Sequence, residues 1–169
     1  MTTTAYVLQS LQNTNLCIGT TSGSAGSLVT LQVLSGIGDT LSQWLMDPNT
    51  GYIQLAADPN LVLDVQGFNG QQGQIIVSAI NLGRTSQKWN WVGRAPNISN
   101  VMYPTMVVDN SGGDASPGNP ILIWPFNGGQ NQSWSALSVP SMHLLNAAEG
   151  NQGHLSGSPK QARVMSVAA

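Results

Sequence analysis

The chain has 169 residues, with 41% apolar and only 7% charged, and five Lys and Arg against seven Asp and Glu. That length suits one domain with a proper core, and a formal charge of −2 without a basic block excludes a surface that tracks the phosphates of nucleic acid or an anionic membrane. Neutral polar residues replace the missing charge, 15 Asn, 14 Gln, 18 Ser and 11 Thr beside 19 Gly, and because disorder needs low hydropathy with high net charge, the chain is expected to fold.

The first residues, Met1-Thr2-Thr3-Thr4-Ala5, lack the basic and apolar regions of a signal peptide. Cys17 stands alone, so no disulfide can form within the chain. Together these point to a cytoplasmic protein or one released without a signal peptide. No apolar run approaches the ~20 residues that span a bilayer, so membrane insertion is not expected.

Further along, the apolar runs are short, rich in Val, Ile and Leu, and separated by clusters such as Ser22-Gly23-Ser24-Ala25-Gly26 and Ser111-Gly112-Gly113-Asp114. That is the pattern of short strands and turns, and no stretch keeps the spacing of an amphipathic helix. The runs repeat. Leu16-Cys17-Ile18-Gly19, Leu61-Val62-Leu63-Asp64 and Met106-Val107-Val108-Asp109 follow one another at intervals of 45, as do Leu31–Leu34, Ile76–Ala79 and Ile121–Trp124. Each unit closes on a tryptophan, in Ser42-Gln43-Trp44, Gln87-Lys88-Trp89 and Gln132-Ser133-Trp134. Three repeats, about 6–50, 51–95 and 96–138, therefore form a domain over 1–138, all-β, with roughly twelve strands in a closed barrel that hides its edges. Residues 139–169 form a C-terminal extension in which Met142–Leu145 and Arg163–Val167 can each be a strand, either a hairpin packed on the barrel or a dimerisation arm.

Three repeats of this length, closing on Gln-x-Trp phrases with Ser42 in the place of the first Gln, resemble the β-trefoil of ricin B-chain-type (R-type) lectins and related carbohydrate-binding modules. Repeat three is most similar, in Val108-Asp109 and in Ile121 to Trp134 with its Asn127-Gly128-Gly129-Gln130-Asn131-Gln132-Ser133-Trp134. The likeness spans about four fifths of the chain and leaves out the extension. It implies a shallow sugar pocket per repeat at most. A sugar has an apolar C–H face and a polar hydroxyl rim, so such a pocket needs an aromatic plate and a few hydrogen-bonding groups. By this resemblance Asp109 accepts hydroxyls, Trp124 is the plate, Asn127 and Asn131 donate and accept, Gln132 braces the loop or touches ligand, and Gly112 brings backbone close.

The other repeats lack parts of this set. Repeat two keeps Asp64 but has Ala79, Leu82 and Ser86 at the positions of Trp124, Asn127 and Asn131, and repeat one has Gly19, Leu34, Ile37 and Leu41. One site in three is expected, with Asp64 making local backbone bonds. The disulfide of many family members would join Cys17 to Gly36, Val62 to Asn81 or Val107 to Phe126, and none can form.

The plainer readings differ by residue. Trp44, Trp89 and Trp134 are core; Trp124 is a plate or a tryptophan exposed or covered by the tail; Asp109 binds ligand or caps the turn through Asn110-Ser111-Gly112-Gly113. His143 and His154 have no metal-ligand spacing, Glu149 is the only glutamate, and no catalytic or phosphate-cradling arrangement emerges. Neither metal, cofactor nor catalysis is expected. The sequon at Asn131 would place a glycan in the pocket itself.

These readings amount to a non-catalytic lectin for a terminal sugar, of galactose or N-acetylgalactosamine type by the resemblance, with glycans as partners. One weak site per chain implies a homo-oligomer, a dimer, for avidity. The alternative is a β-trefoil protease inhibitor or other protein-binding trefoil acting through the loops Gly67–Gln74 or Pro96–Pro104.

Overall fold

The computed structural model describes residues 4–140 apart from 37, 68, 69, 74 and 75. Twelve strands fall into three sets of four: β1 (Ala5–Ser10), β2 (Leu16–Thr20), β3 (Ser27–Val33) and β4 (Trp44–Met46); β5 (Ile53–Leu55), β6 (Leu61–Val65), β7 (Ile76–Ile80) and β8 (Trp89–Asn90); β9 (Ser99–Asn100), β10 (Met106–Asn110), β11 (Ile121–Pro125) and β12 (Trp134–Ser138). A 3-10 turn, Thr40–Ser42, Thr85–Gln87 or Gln130–Gln132, precedes the closing tryptophan of each set at the 45-residue spacing of the sequence.

Strand β1 pairs with β12, β2 and β4, and the order β1-β2-β3-β7-β6-β5-β4 returns to β1, so this ring has no free edge. Strands β11-β10-β9-β8 form a second sheet, joined to the first by a bridge between Thr30 and Pro120. Inside lie Leu8, Ile18, Leu31, Ile53, Leu63, Ile76, Val108, Ile121 and Ile123, packed around Trp44, Trp89 and Trp134. Each of these tryptophans is buried, and each donates its indole N–H to the carbonyl 26 residues upstream, on Ile18 (2.9 Å), Leu63 (3.0 Å) and Val108 (3.1 Å). A large apolar ring is thus buried without stranding its donor.

The segment Pro96–Pro104, a candidate binding loop under the alternative reading, is tied into the structure at its centre while Val101 and Met102 stay exposed. It contains β9, and Ile98, Ser99 and Asn100 are buried. Part of the other expected loop, Gly67–Gln74, and the strands and dimerisation arm expected within 141–169, lie outside the described residues. No helix among the described residues is long and apolar enough to cross a membrane.

Candidate functional site

The site begins with strand parity. In the β10–β11 hairpin Val107 faces Trp124 and Asp109 faces Leu122, while Val108 faces Ile123. Side chains alternate along a strand, so Val108, Ile121 and Ile123 enter the core and Val107, Asp109, Leu122 and Trp124 share the outer face. Trp124 is 37% exposed, against 0% for Ile121 and Ile123 on the opposite face of the same strand.

The 3-10 turn Gln130–Gln132 packs against that face. Gln132 is fully buried: its Nε2 donates to Asp109 Oδ2 (2.8 Å) and to the Pro125 carbonyl (3.0 Å), and its Oε1 accepts the Asn127 backbone N–H (2.9 Å). Asn131 Nδ2 donates to the same Asp109 Oδ2 (3.1 Å) and to the Asn110 carbonyl (3.3 Å). Asp109 Oδ1, by contrast, has no hydrogen-bond donor among the described residues. Burial pushes the Asp109 carboxyl above its ordinary range, and the bonds from Gln132 and Asn131 offset only part of that. The result is an acceptor held on one oxygen and open at the cleft on the other.

Asp109, Ser111, Gly112, Leu122, Trp124, Asn127 and Asn131 line a cleft of about 310 Å³. Five of the six residues expected at the site thus surround one space. The sixth, Gln132, lies beneath it, and its contacts brace Asp109 and the Asn127 backbone.

The cleft also depends on Asn110, Gln12 and Gly73, which sequence reading did not assign to it. Asn110 is fully buried and holds the loop after β10: its Nδ2 donates to Gln12 Oε1 (3.1 Å) and to the Asp114 carbonyl (2.9 Å), and its Oδ1 accepts from Asn119 (2.6 Å). Gln12 Nε2 donates in turn to the Gly113 carbonyl (2.6 Å). Within this loop Gly112 has φ +61°, a conformation that other residues adopt at a cost. Gly129 serves by its small size, because an added Cβ would collide with Asn131 Oδ1 and come within 2.9 Å of Asn127 Oδ1. From the second repeat, the Gly73 N–H donates to the Ile123 carbonyl (2.8 Å), and its backbone stands beside the Trp124 ring. The only advance signal of these supports was the Asn and Gly content of the turns.

The equivalent positions of the other repeats differ in occupancy. Asp64 was expected to make only local backbone bonds; it has one, with Val65, but both its oxygens are also taken by side chains, Oδ1 by Ser86 Oγ (2.8 Å) and Oδ2 by Gln87 Nε2 (3.0 Å). Serine is short enough to sit against Oδ1, and Ala79 supplies no plate. In repeat one Gly19 has no room for a side chain, since an added Cβ would lie 2.6 Å from Gln32 Cγ. Asp39, which the sequence did not flag, enters a cleft there, but it already accepts from Leu41 N (3.1 Å), Ser42 Oγ (2.9 Å) and Ser35 Oγ (3.2 Å). Among the described residues no three His, Cys, Asp or Glu side chains group as metal ligands.

No protein-family model matches the sequence, and no curated protein matches it. Solved structures do match its fold. A mosquitocidal holotoxin superimposes at TM-score 0.68 and 20% identity over 81% of this chain, which spans only 17% of the toxin's chain. The C-half of the earthworm R-type lectin, in complex with GalNAc, matches at TM-score 0.67 and 17% identity, covering 80% of this chain and 98% of its own. The β-trefoil lectin of Vibrio vulnificus hemolysin/cytolysin, with N-acetyl-D-lactosamine bound, matches at TM-score 0.63 and 18% identity, over 81% of this chain and 96% of its own. The protein is an all-β chain with the β-trefoil fold, and its structural neighbours include R-type and other β-trefoil lectins.

Proposed function

We propose that the protein is a lectin that binds a terminal sugar of galactose or N-acetylgalactosamine type in the repeat-three cleft and performs no chemistry there. One observation carries this reading: beside the exposed Trp124, the buried Asp109 has one oxygen held by Gln132 and Asn131 and the other without a donor among the described residues. That second oxygen faces the cleft and is open to donors arriving there. Sugar hydroxyls are such donors, and charge-assisted bonds to them are the stronger kind. The ring face then lies on the indole of Trp124, while Asn127 and Asn131 meet hydroxyls that both give and take. The sugars bound by the earthworm and Vibrio neighbours support the assignment.

A single shallow site of this kind binds at about millimolar strength, roughly −4 kcal/mol. We therefore propose a homo-oligomer that presents several sites to one glycan-bearing particle. The test is a glycan array probed with the intact protein, Asp109→Ala and Trp124→Ala. Signal on one sugar class that disappears in both variants supports the reading; silence from folded intact protein overturns it.

A further inference from the structure

A second cleft lies on the same face of the β10–β11 hairpin. It is larger, about 480 Å³, and its lining includes Val107, Pro125 and Phe126 with Ser99, Thr105 and Arg94. Phe126 is 59% exposed and offers a flat apolar surface. Val107 pairs directly with Trp124 and stands two residues before Asp109 on β10. Two residues of strand cover about 7 Å, so a residue lining one cleft and a residue lining the other stand about one sugar ring apart on β10. The Arg94 guanidinium is exposed at the second cleft and has no ion-pair or hydrogen-bond partner among the described residues.

We propose that this cleft is a second subsite for the same glycan and selects an acidic sugar next to the one on Trp124. The inference rests on the lectin reading above. The neighbouring ring packs on Phe126, its hydroxyls face Thr105, and its anionic group meets Arg94. Arginine suits this role because its planar fork matches carboxylate and sulfate geometry and sheds water more readily than an ammonium group does. In a chain with five Lys and Arg in all, a cation with no partner among the described residues, beside an apolar recess next to a carbohydrate cleft, gives the subsite a charge preference.

The test is an array in which each neutral glycan is printed beside its uronic-acid, sialylated and sulfated forms, probed with intact protein, Arg94→Gln and Asp109→Ala. Intact protein should bind an acidic form about fivefold better than its neutral parent at low salt, with the gain fading in high salt. Arg94→Gln should remove the gain and leave the neutral signals unchanged, whereas Asp109→Ala should remove both. The uronic-acid and sialylated spots against the sulfated ones show which anion is preferred. Neutral glycans bound in an Asp109-dependent way without an acidic gain, or with a gain that Arg94→Gln retains, would overturn the second subsite while the lectin reading stands. No glycan signal at all from folded protein would overturn both.

Discussion

Replacing Asp109 by Asn tests the site with little change of shape. The carboxylate is 3% exposed, and both of its protein donors, Gln132 Nε2 at 2.8 Å and Asn131 Nδ2 at 3.1 Å, are directed at Oδ2. An Asn whose carbonyl faces those donors keeps both bonds and turns its amide toward the place of Oδ1. Two effects of opposite direction follow. Burial raises the folded-state pKa of Asp109 above its unfolded value, so this group's contribution to stability is full at pH below the unfolded pKa and is lost as pH rises through the folded pKa. At neutral pH the ionised side chain is therefore a net cost that Asn removes, and Asp109→Asn should unfold at the same temperature as the native protein or higher. Binding should weaken instead. Charge-assisted bonds contribute about 1.5–3 kcal/mol each, and losing one of about 2 kcal/mol lowers affinity roughly 30-fold. Calorimetric titration with the array-selected sugar and thermal unfolding by circular dichroism read the two effects separately. Asp64→Asn is the control: its carboxyl is also raised by burial, but both oxygens are engaged, so binding should not change. Asp109→Asn that binds like the native protein, or that unfolds several degrees lower, would refute this account of the carboxylate.

Gln132→Ala removes three hydrogen bonds, one buried and two partly buried, and leaves the Asn127 N–H and the Pro125 carbonyl unpaired, which should cost about 2–4 kcal/mol in urea unfolding and abolish binding as well. Trp124→Ala should do the opposite, changing stability by less than about 1 kcal/mol because the ring is 37% exposed, while eliminating sugar binding in the same titration. Affinity should fall on acidification, and because the Asp109 pKa is raised, the fall should begin at higher pH than for an ordinary aspartate; affinity measured across an acidic pH series checks the sign. Cys17 is fully buried and its thiol is pushed up to about 11, chiefly by burial. It should resist aromatic disulfide reagents in the folded protein and react once denaturant is added, as absorbance of the released thiolate will show.

Much of this protein is written in local pattern. Strand alternation is a property of neighbouring residues, so the short apolar runs and the tryptophans repeating every 45 residues already specified the strands, the buried indoles and a Trp124 facing away from Ile121 and Ile123. The same parity was enough to set Asp109 and Trp124 on one face of one hairpin. What the letters did not contain was which atom of each polar side chain is already engaged. Asp64 and Asp109 occupy equivalent places, yet only contact geometry shows Ser86 filling Oδ1 of the first while Asn131 and Gln132 both turn to Oδ2 of the second. Gln132 is another such case, because its Gln-x-Trp context is equally compatible with a ligand contact and a buried brace. The remaining supports come from far along the chain. Gln12 reaches Asn110 across 98 residues, Gly73 borders Trp124 from the neighbouring repeat, and Arg94 meets Phe126 at a cleft between segments 32 positions apart. Such contacts form only when the barrel closes, since closure sets the distances between segments that no local periodicity encodes.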